Sequence, residues 1–375
     1  PIGQSVPTRP VDGAALILGV NEAAQRLAGQ LLERGVAVHQ LAPDLGIDEL
    51  QSVIVGLPHA PPVKHVFVTS ALDAICEAPM DLANWESQKR VAIETPFVAL
   101  QGWVKYLQQH DVRDDLSVIA VTKMGGECGL GDAVHAPLGG WIAGTLKSLR
   151  VELKRNGRPA RTKVCDFGLR DATSRIVEAT LSEWERRDDD SVEMALGDNR
   201  RRVIRVVQQP VDQLPTQQIH TDGAWVITGG ARGITAEVAV ALGKRHHLAM
   251  HLIGRSPAPQ ADAPWRNCTE EQMKTIKRSI VRQAIADRQS PEKQWERVKT
   301  DIEIFNNLQR MRDLGLNVTY HSCDVADFGA VNHTLALIRR QSGPIAGVVH
   351  GAGYARTSRF EMQKREELAK TIGAK

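Results

Sequence analysis

The chain has 375 residues, 42% of them hydrophobic, and a formal net charge of +3. That length supports two domains with substantial cores, and the near-balance of charge speaks against a dedicated nucleic-acid binder. The five cysteines form no C-x-x-C pair or His/Cys cluster, so no metal site or disulfide framework is expected and a reducing, cytoplasmic setting is; no apolar run approaches about 20 residues, so no membrane span is expected.

Residues 1–10, PIGQSVPTRP, read as a linker and lack the basic-then-apolar order of a signal peptide. Ala14 to Leu18 is a candidate strand, Gly19 to Gly35 a helix with Leu27, Leu31 and Leu32 on one face, and Val36 to Leu41 a second strand. The turn between them, GVNEA, holds one glycine, so a phosphate-cradling geometry is not written into it. Val63 to Ser70 reads as a buried strand, residues 84–109 as helical, and Leu116 to Thr122 as a strand. A helix from Pro137 to Leu153 and a strand from Thr162 to Phe167 follow. This alternation predicts a parallel sheet with helices on both faces.

Residues 171–184 read as a short helix, and ERRDDD at 185–190 as a solvated turn. Ser191 to Ala195 and Arg202 to Val207 read as short strands around a GDN turn. The proline- and glutamine-rich run QQPVDQLPTQQIHTDG marks a domain boundary. The domains expected are therefore 11–210, a linker at 211–223, and 224–375.

The second domain opens on a βαβ pattern. Trp225 to Thr228 is a strand, Gly229, Gly230, Ala231, Arg232, Gly233, Ile234 and Thr235 form a turn, and a helix leads to a second apolar run ending at Gly254 and Arg255. Glycines there serve a tight turn and close backbone approach, and the helix start points free N–H groups at an anion. The spacing Gly229-x-x-x-Gly233-x-Thr235 departs from G-x-G-x-x-G, and the alternative is an ordinary βα turn packed on the sheet.

Residues 257–312 form an insertion: a Pro/Ala-rich stretch, then a charged pattern of two helices broken near Ser290 and Pro291. It reads as a surface helical hairpin, with a docking element for a neighbouring domain as the alternative. Leu316 to His321 resumes the sheet, Asp327 caps a helix to Arg339, Ile345 to His350 is a strand running into Gly351-Ala352-Gly353, and a helix pattern covers 361–375.

Ligands of doubly wound sheets sit beyond the carboxyl ends of the strands. Four features fall there: the turn Gly229 to Thr235, Arg255, Asp324, and Gly351 to Gly353. An acidic residue at 255 would accept a ribose 2′-OH; an arginine instead offers a planar fork to a 2′-phosphate, which favours NADP(H). Arg232 is a candidate second phosphate ligand, with solvent exposure as the alternative. Asp324 is placed to accept from an adenine amine, with a turn carboxylate as the alternative.

Together these features resemble the short-chain dehydrogenase/reductase superfamily. The series WVITGGARGI…HLIGRS…CDVAD…GVVHGAG resembles the ketoreductase domain of type I polyketide synthases, and the GGARGIT turn and long segment after Arg255 look most like those of polyunsaturated fatty acid synthases. The resemblance implies two Rossmann-like subdomains: a degenerate, cofactor-free structural one at 11–210, and an NADPH-binding catalytic one at 224–375, truncated at the chain end and carrying the helical insertion. It implies a cofactor set of Thr228, Gly229, Gly230, Arg232, Gly233, Ile234, Arg255, Asp324, Val325, Gly351, Ala352 and Gly353.

The implied activity is NADPH-dependent reduction of a β-ketoacyl thioester carried on the phosphopantetheine of an acyl carrier protein, beside other synthase domains through which any homodimer would form. A non-catalytic scaffold in the same kind of multienzyme is the alternative. In the family a Tyr donates the proton, a Ser holds the same oxygen, and a Lys lowers the Tyr pKa. Lys375 matches that Lys, with Lys370 as fallback; the Ser and Tyr are expected beyond the chain end, because Tyr354 comes too early.

Overall fold

A computed structural model of the chain describes residues 12–41, 45–74, 81–131, 134, 136–210, 212, 218–260, 262–266, 268–354 and 357–374. The chain divides into two compact units. The first comprises Pro1–Gln208 with Ser358–Arg365, and the second Gln209–Thr357 with Glu366–Lys375.

The first unit runs β1 (Ala14–Leu18), α1 (Glu22–Glu33), β2 (Val38–Gln40), α2 (Ile47–Val55), β3 (Val63–Val68), α3 (Leu82–Lys89), α4 (Thr95–Gln109), β4 (Leu116–Thr122), α5 (Gly139–Arg155), β5 (Ala160–Asp166), α6 (Thr173–Glu185), β6 (Glu193–Ala195) and β7 (Arg202–Val203). The strands order as β2-β1-β3-β4-β5-β6-β7, all parallel except the last pair. Strands covered on both faces favour apolar runs: β1 is apolar throughout and fully buried, and β4 is fully buried with its polar Ser117 and Thr122 hydrogen-bonded to Trp184 and Asp166. Leu27 and Leu31 of α1 join Ile176, Leu181 and Trp184 of α6 in one core cluster with Phe67 and Ile119 of the sheet.

The helical stretch read at 84–109 is interrupted. A π-helical turn, Arg90–Glu94, separates α3 from α4, and Pro96, which has no N–H to give, lies in the first turn of α4. The late segment Ser358–Arg365 docks on α4: Gln101 Nε2 donates to the carbonyls of Phe360 (2.6 Å) and Gln363 (2.8 Å), and the Phe360 ring meets Phe97 edge-on at 5.3 Å. The strand expected from Arg202 to Val207 stops at Val203. Val206 and Val207 are 99% and 77% exposed, so their β-branched shape finds no surface to pack on.

The second unit runs β8 (Ala224–Thr228), α7 (Gly233–His246), β9 (Ala249–Gly254), α8 (Glu270–Ala286), α9 (Pro291–Asp313), β10 (Val318–Ser322), α10 (Phe328–Ser342), β11 (Ile345–His350) and α11 (Arg365–Gly373), the last beginning in the first unit's late segment. Its parallel sheet orders as β10-β9-β8-β11, so the strand order reverses beside β8. The chain is thus built of two Rossmann-like α/β subdomains with a helical insertion.

α8 and α9 start where the sequence provides caps: Thr269 and Gln272 form a reciprocal capping box, and Ser290 caps a helix with Pro291 in its first turn. α8 buries only Ala284. α9 behaves differently along its length, because Ile304, Leu308 and Met311 join Ala236 and Ala239 of α7 against Ile227, Met250 and Leu252. Its C-terminal half is part of the core.

Candidate nucleotide site

The reversal between β8 and β11 opens a crevice at the carboxyl ends of both strands. Thr228 ends β8 and is nearly buried. Its carbonyl accepts the Gly351 N–H at 3.0 Å, while its hydroxyl lies 2.8 Å from His350 Nδ1 and accepts the Ala352 N–H at 3.2 Å. Those bonds tie the Gly351–Gly353 loop to the glycine-rich turn.

Gly229 takes φ +74°, and a Cβ there would meet the Ala352 nitrogen and the Gly351 carbonyl at 3.0 Å. Glycine is needed both for the left-handed backbone and for the close approach of the two loops. Gly230 serves packing instead, since a Cβ would meet Ile227 Cγ2 at 2.7 Å and Leu252 Cδ2 at 2.8 Å. Gly233, at φ +54°, has nothing within 4 Å of where a Cβ would point, and its N–H donates to Glu303 Oε1 at 2.9 Å.

The crevice has a volume of about 620 Å³. Ten of the twelve residues assigned to a cofactor from the sequence line it: Gly229, Arg232, Gly233, Ile234, Arg255, Asp324, Val325, Gly351, Ala352 and Gly353. Thr228 and Gly230 lie behind the turn and shape it. Lys370 also lines the crevice, and Lys375 lies outside the described residues.

Arg255 is exposed at the end of β9 and has no ion pair among the described residues. Asp324 accepts the Ala326 N–H at 3.0 Å, so it is a turn carboxylate with its other oxygen available. Arg232 is engaged: its Nε donates to Glu303 Oε2 at 2.8 Å. Tyr320 reaches across from β10 and donates to the Ser256 carbonyl at 2.7 Å. Burial, then the nearby Asp301 carboxylate, push its phenol up to about 12.

Two contributors escaped sequence reasoning. Glu303 and Tyr320 carry no local motif, and only the packing of α9 and the register of β10 on β9 bring them to the crevice. The chemistry of the lining suits an anionic dinucleotide on three grounds: a glycine-permitted close approach of two backbones, a helix start whose Gly233 N–H already holds a carboxylate, and two arginines.

The first unit differs at the matching place. α1 is capped by its own Asn21, whose Oδ1 accepts the Ala24 N–H at 2.9 Å. At the far side of its sheet the buried Asp166 carboxylate accepts from Thr122 Oγ1 (2.7 Å) and from the Met124 and Cys128 N–H groups (2.6 and 2.8 Å), filling that strand end with the chain's own loop. Among the described residues no cluster of His, Cys, Asp and Glu could hold a metal ion, and no helix is long and apolar enough to cross a membrane.

Comparison with known proteins places these observations. The KR-domain family model matches residues 223–375. One component of the polyunsaturated fatty acid synthase of Thraustochytrium is 26% identical over 199 residues, which cover 49% of this chain and 7% of that protein. Two solved structures share the fold over nearly all of the chain. One is an N-terminal ketoreductase from the macrolactin assembly line (TM-score 0.64, 12% identity, 98% of this chain, 66% of that one). The other is an adenylation, ketoreductase and pseudo-Asub structure of a keto acid-selecting NRPS module (TM-score 0.68, 14% identity, 100% of this chain, 29% of that one).

Proposed function

From a chain whose residues 223–375 are a ketoreductase-type domain of the short-chain dehydrogenase/reductase superfamily, we propose that the protein takes part in the NADPH-dependent reduction of a β-ketoacyl thioester borne on an acyl carrier protein. The observation that carries this reading is convergence: the glycine-rich turn, Arg255, Asp324 and the Gly351–Gly353 loop, distant in sequence, line one crevice. The chain spans a small part of the synthase component it resembles, so neighbouring synthase domains belong to the same proposal.

NADPH, when bound, supplies the hydride. In this reading the outward N–H groups of α7 and Arg232 hold the pyrophosphate, and Arg255 selects the 2′-phosphate through charge-assisted bonds. Gly351 to Gly353 admit the ribose and nicotinamide end by presenting backbone without side chains. Lys375 is assigned the role of lowering the pKa of the proton-donating Tyr. The first unit, with its self-capped α1 and loop-filled strand end, is assigned a structural role.

Titration of the full-length polypeptide with NADPH, followed by nicotinamide fluorescence, tests the binding step. NADPH oxidation with a carrier-bound β-ketoacyl thioester tests the reaction. Absence of binding sinks the reductase reading. Binding without turnover favours a non-catalytic scaffold, and equal turnover of free small ketones removes the carrier protein from the proposal.

A further inference from the structure

The start of α7 is not capped by its own side chain: Arg232 stands at the N-cap and makes no capping bond. A carboxylate from another helix takes that place. Glu303 Oε1 accepts the Gly233 N–H at 2.9 Å, and Glu303 Oε2 accepts from Arg232 Nε at 2.8 Å. A helix-start amide and a guanidinium from the glycine-rich turn are the donors a phosphate would use.

The carboxylate is delivered by a helix keyed to this turn. One helical turn beyond Glu303, Asn307 Nδ2 donates to the Ala231 carbonyl at 2.9 Å, and Arg310 pairs with Glu237 of α7 through its two terminal guanidinium nitrogens. Ile304, Leu308 and Met311 fix the same helix in the core. Residues three and four apart share a helix face, so one face of α9 meets the turn and presents a negative charge to it. The Glu303 side chain is 39% exposed, so solvent can reach it. Burial raises its pKa, but the Gly233 N–H and Arg232 outweigh that and hold the carboxyl below the usual range; it is an anion at neutral pH.

We propose that Glu303 is an internal anion seated in the pyrophosphate position of the crevice, which a dinucleotide must displace, and that it thereby sets the affinity of the site. The proposal rests on the dinucleotide reading of the crevice. Its physical basis is that two anions cannot share one set of donors: incoming phosphate meets a like charge, and the Glu303 bonds must break before its own form.

Glu303→Gln removes the charge while keeping an acceptor for Gly233, and Glu303→Ala removes both. Each is titrated against wild type with NADPH by nicotinamide fluorescence, and with inorganic pyrophosphate by following the Gly233 amide in nuclear magnetic resonance. Thermal unfolding checks that each variant is folded. Both variants are expected to bind both probes about five- to tenfold more tightly than wild type. Unchanged or weaker binding of both probes overturns the proposal, while NADPH binding by wild type leaves the dinucleotide reading standing. If NADPH binds no variant but pyrophosphate still tightens, the dinucleotide reading falls and Glu303 remains the occupant of an anion site.

Discussion

Lys163 Nζ of β5 lies 3.0 Å from Glu183 Oε2 of α6, and the two side chains are 2% and 4% exposed. The pair is asymmetric in its support. Glu183 also accepts from Arg201 at 2.5 and 3.1 Å, whereas Lys163 has no other carboxylate within 4 Å among the described residues. Burial pushes the Glu183 carboxyl up, but Arg201 and Lys163 together hold it below the usual range. Glu183→Gln leaves a buried ammonium without its counter-charge and is expected to destabilise the first unit by about 3–5 kcal/mol. Lys163→Met leaves Glu183 its arginine and is expected to cost clearly less. Urea unfolding of the two variants checks the order; equal losses would show that Arg201 does not share the load.

Arg255 stands exposed at the end of β9, on the rim of the crevice. If it reads a 2′-phosphate, Arg255→Asp removes a charge-assisted fork and adds repulsion. NADPH affinity is expected to fall by at least about tenfold, with NADH affinity little changed. Paired fluorescence titrations measure both, and an equal loss for the two nucleotides would remove Arg255 from phosphate recognition.

His65 predicts a pH dependence of the first unit. It is fully buried in β3, with Nδ1 2.9 Å from Ser117 Oγ and Nε2 3.0 Å from the Asp12 carbonyl. The Asp12 carbonyl can only accept, so the neutral ring carries its hydrogen on Nε2 and Nδ1 accepts from Ser117 Oγ, which itself accepts from Trp184 Nε1 at 3.0 Å. Burial lowers the pKa from 6.5 to about 4, against the Asp12 carbonyl bond that raises it. The unfolded chain therefore binds this proton more tightly than the folded one. The contribution is fully present above pH 6.5 and is lost as pH falls toward 4, about 3 kcal/mol in all. His65→Gln keeps a donor and an acceptor and is expected to flatten this part of the stability–pH curve; an unchanged slope between pH 6.5 and 4 would assign it to other groups.

Period and punctuation made much of the architecture readable. The continuous apolar run Ala14 to Leu18 is buried throughout, as a strand covered on both faces requires, and Ser290-Pro291 begins a helix. The π turn at Arg90–Glu94 was not readable, because its residues keep a helical apolar pattern while the hydrogen bonding shifts. The end of β7 at Val203 was not readable either, because a strand needs a partner as well as a propensity.

By itself the sequence determined the glycine-rich turn, the arginine after β9 and the second glycine loop, because backbone freedom and side-chain charge are local properties. The tertiary structure alone decided that Glu303, about seventy residues downstream, sits on the Gly233 amide and Arg232. Nothing in a charged helical stretch distinguishes the one carboxylate that the packing of Ile304, Leu308 and Met311 turns toward the crevice. Which anion a helix start holds depends on what is folded against it, and that is a long-range contact with no local signature.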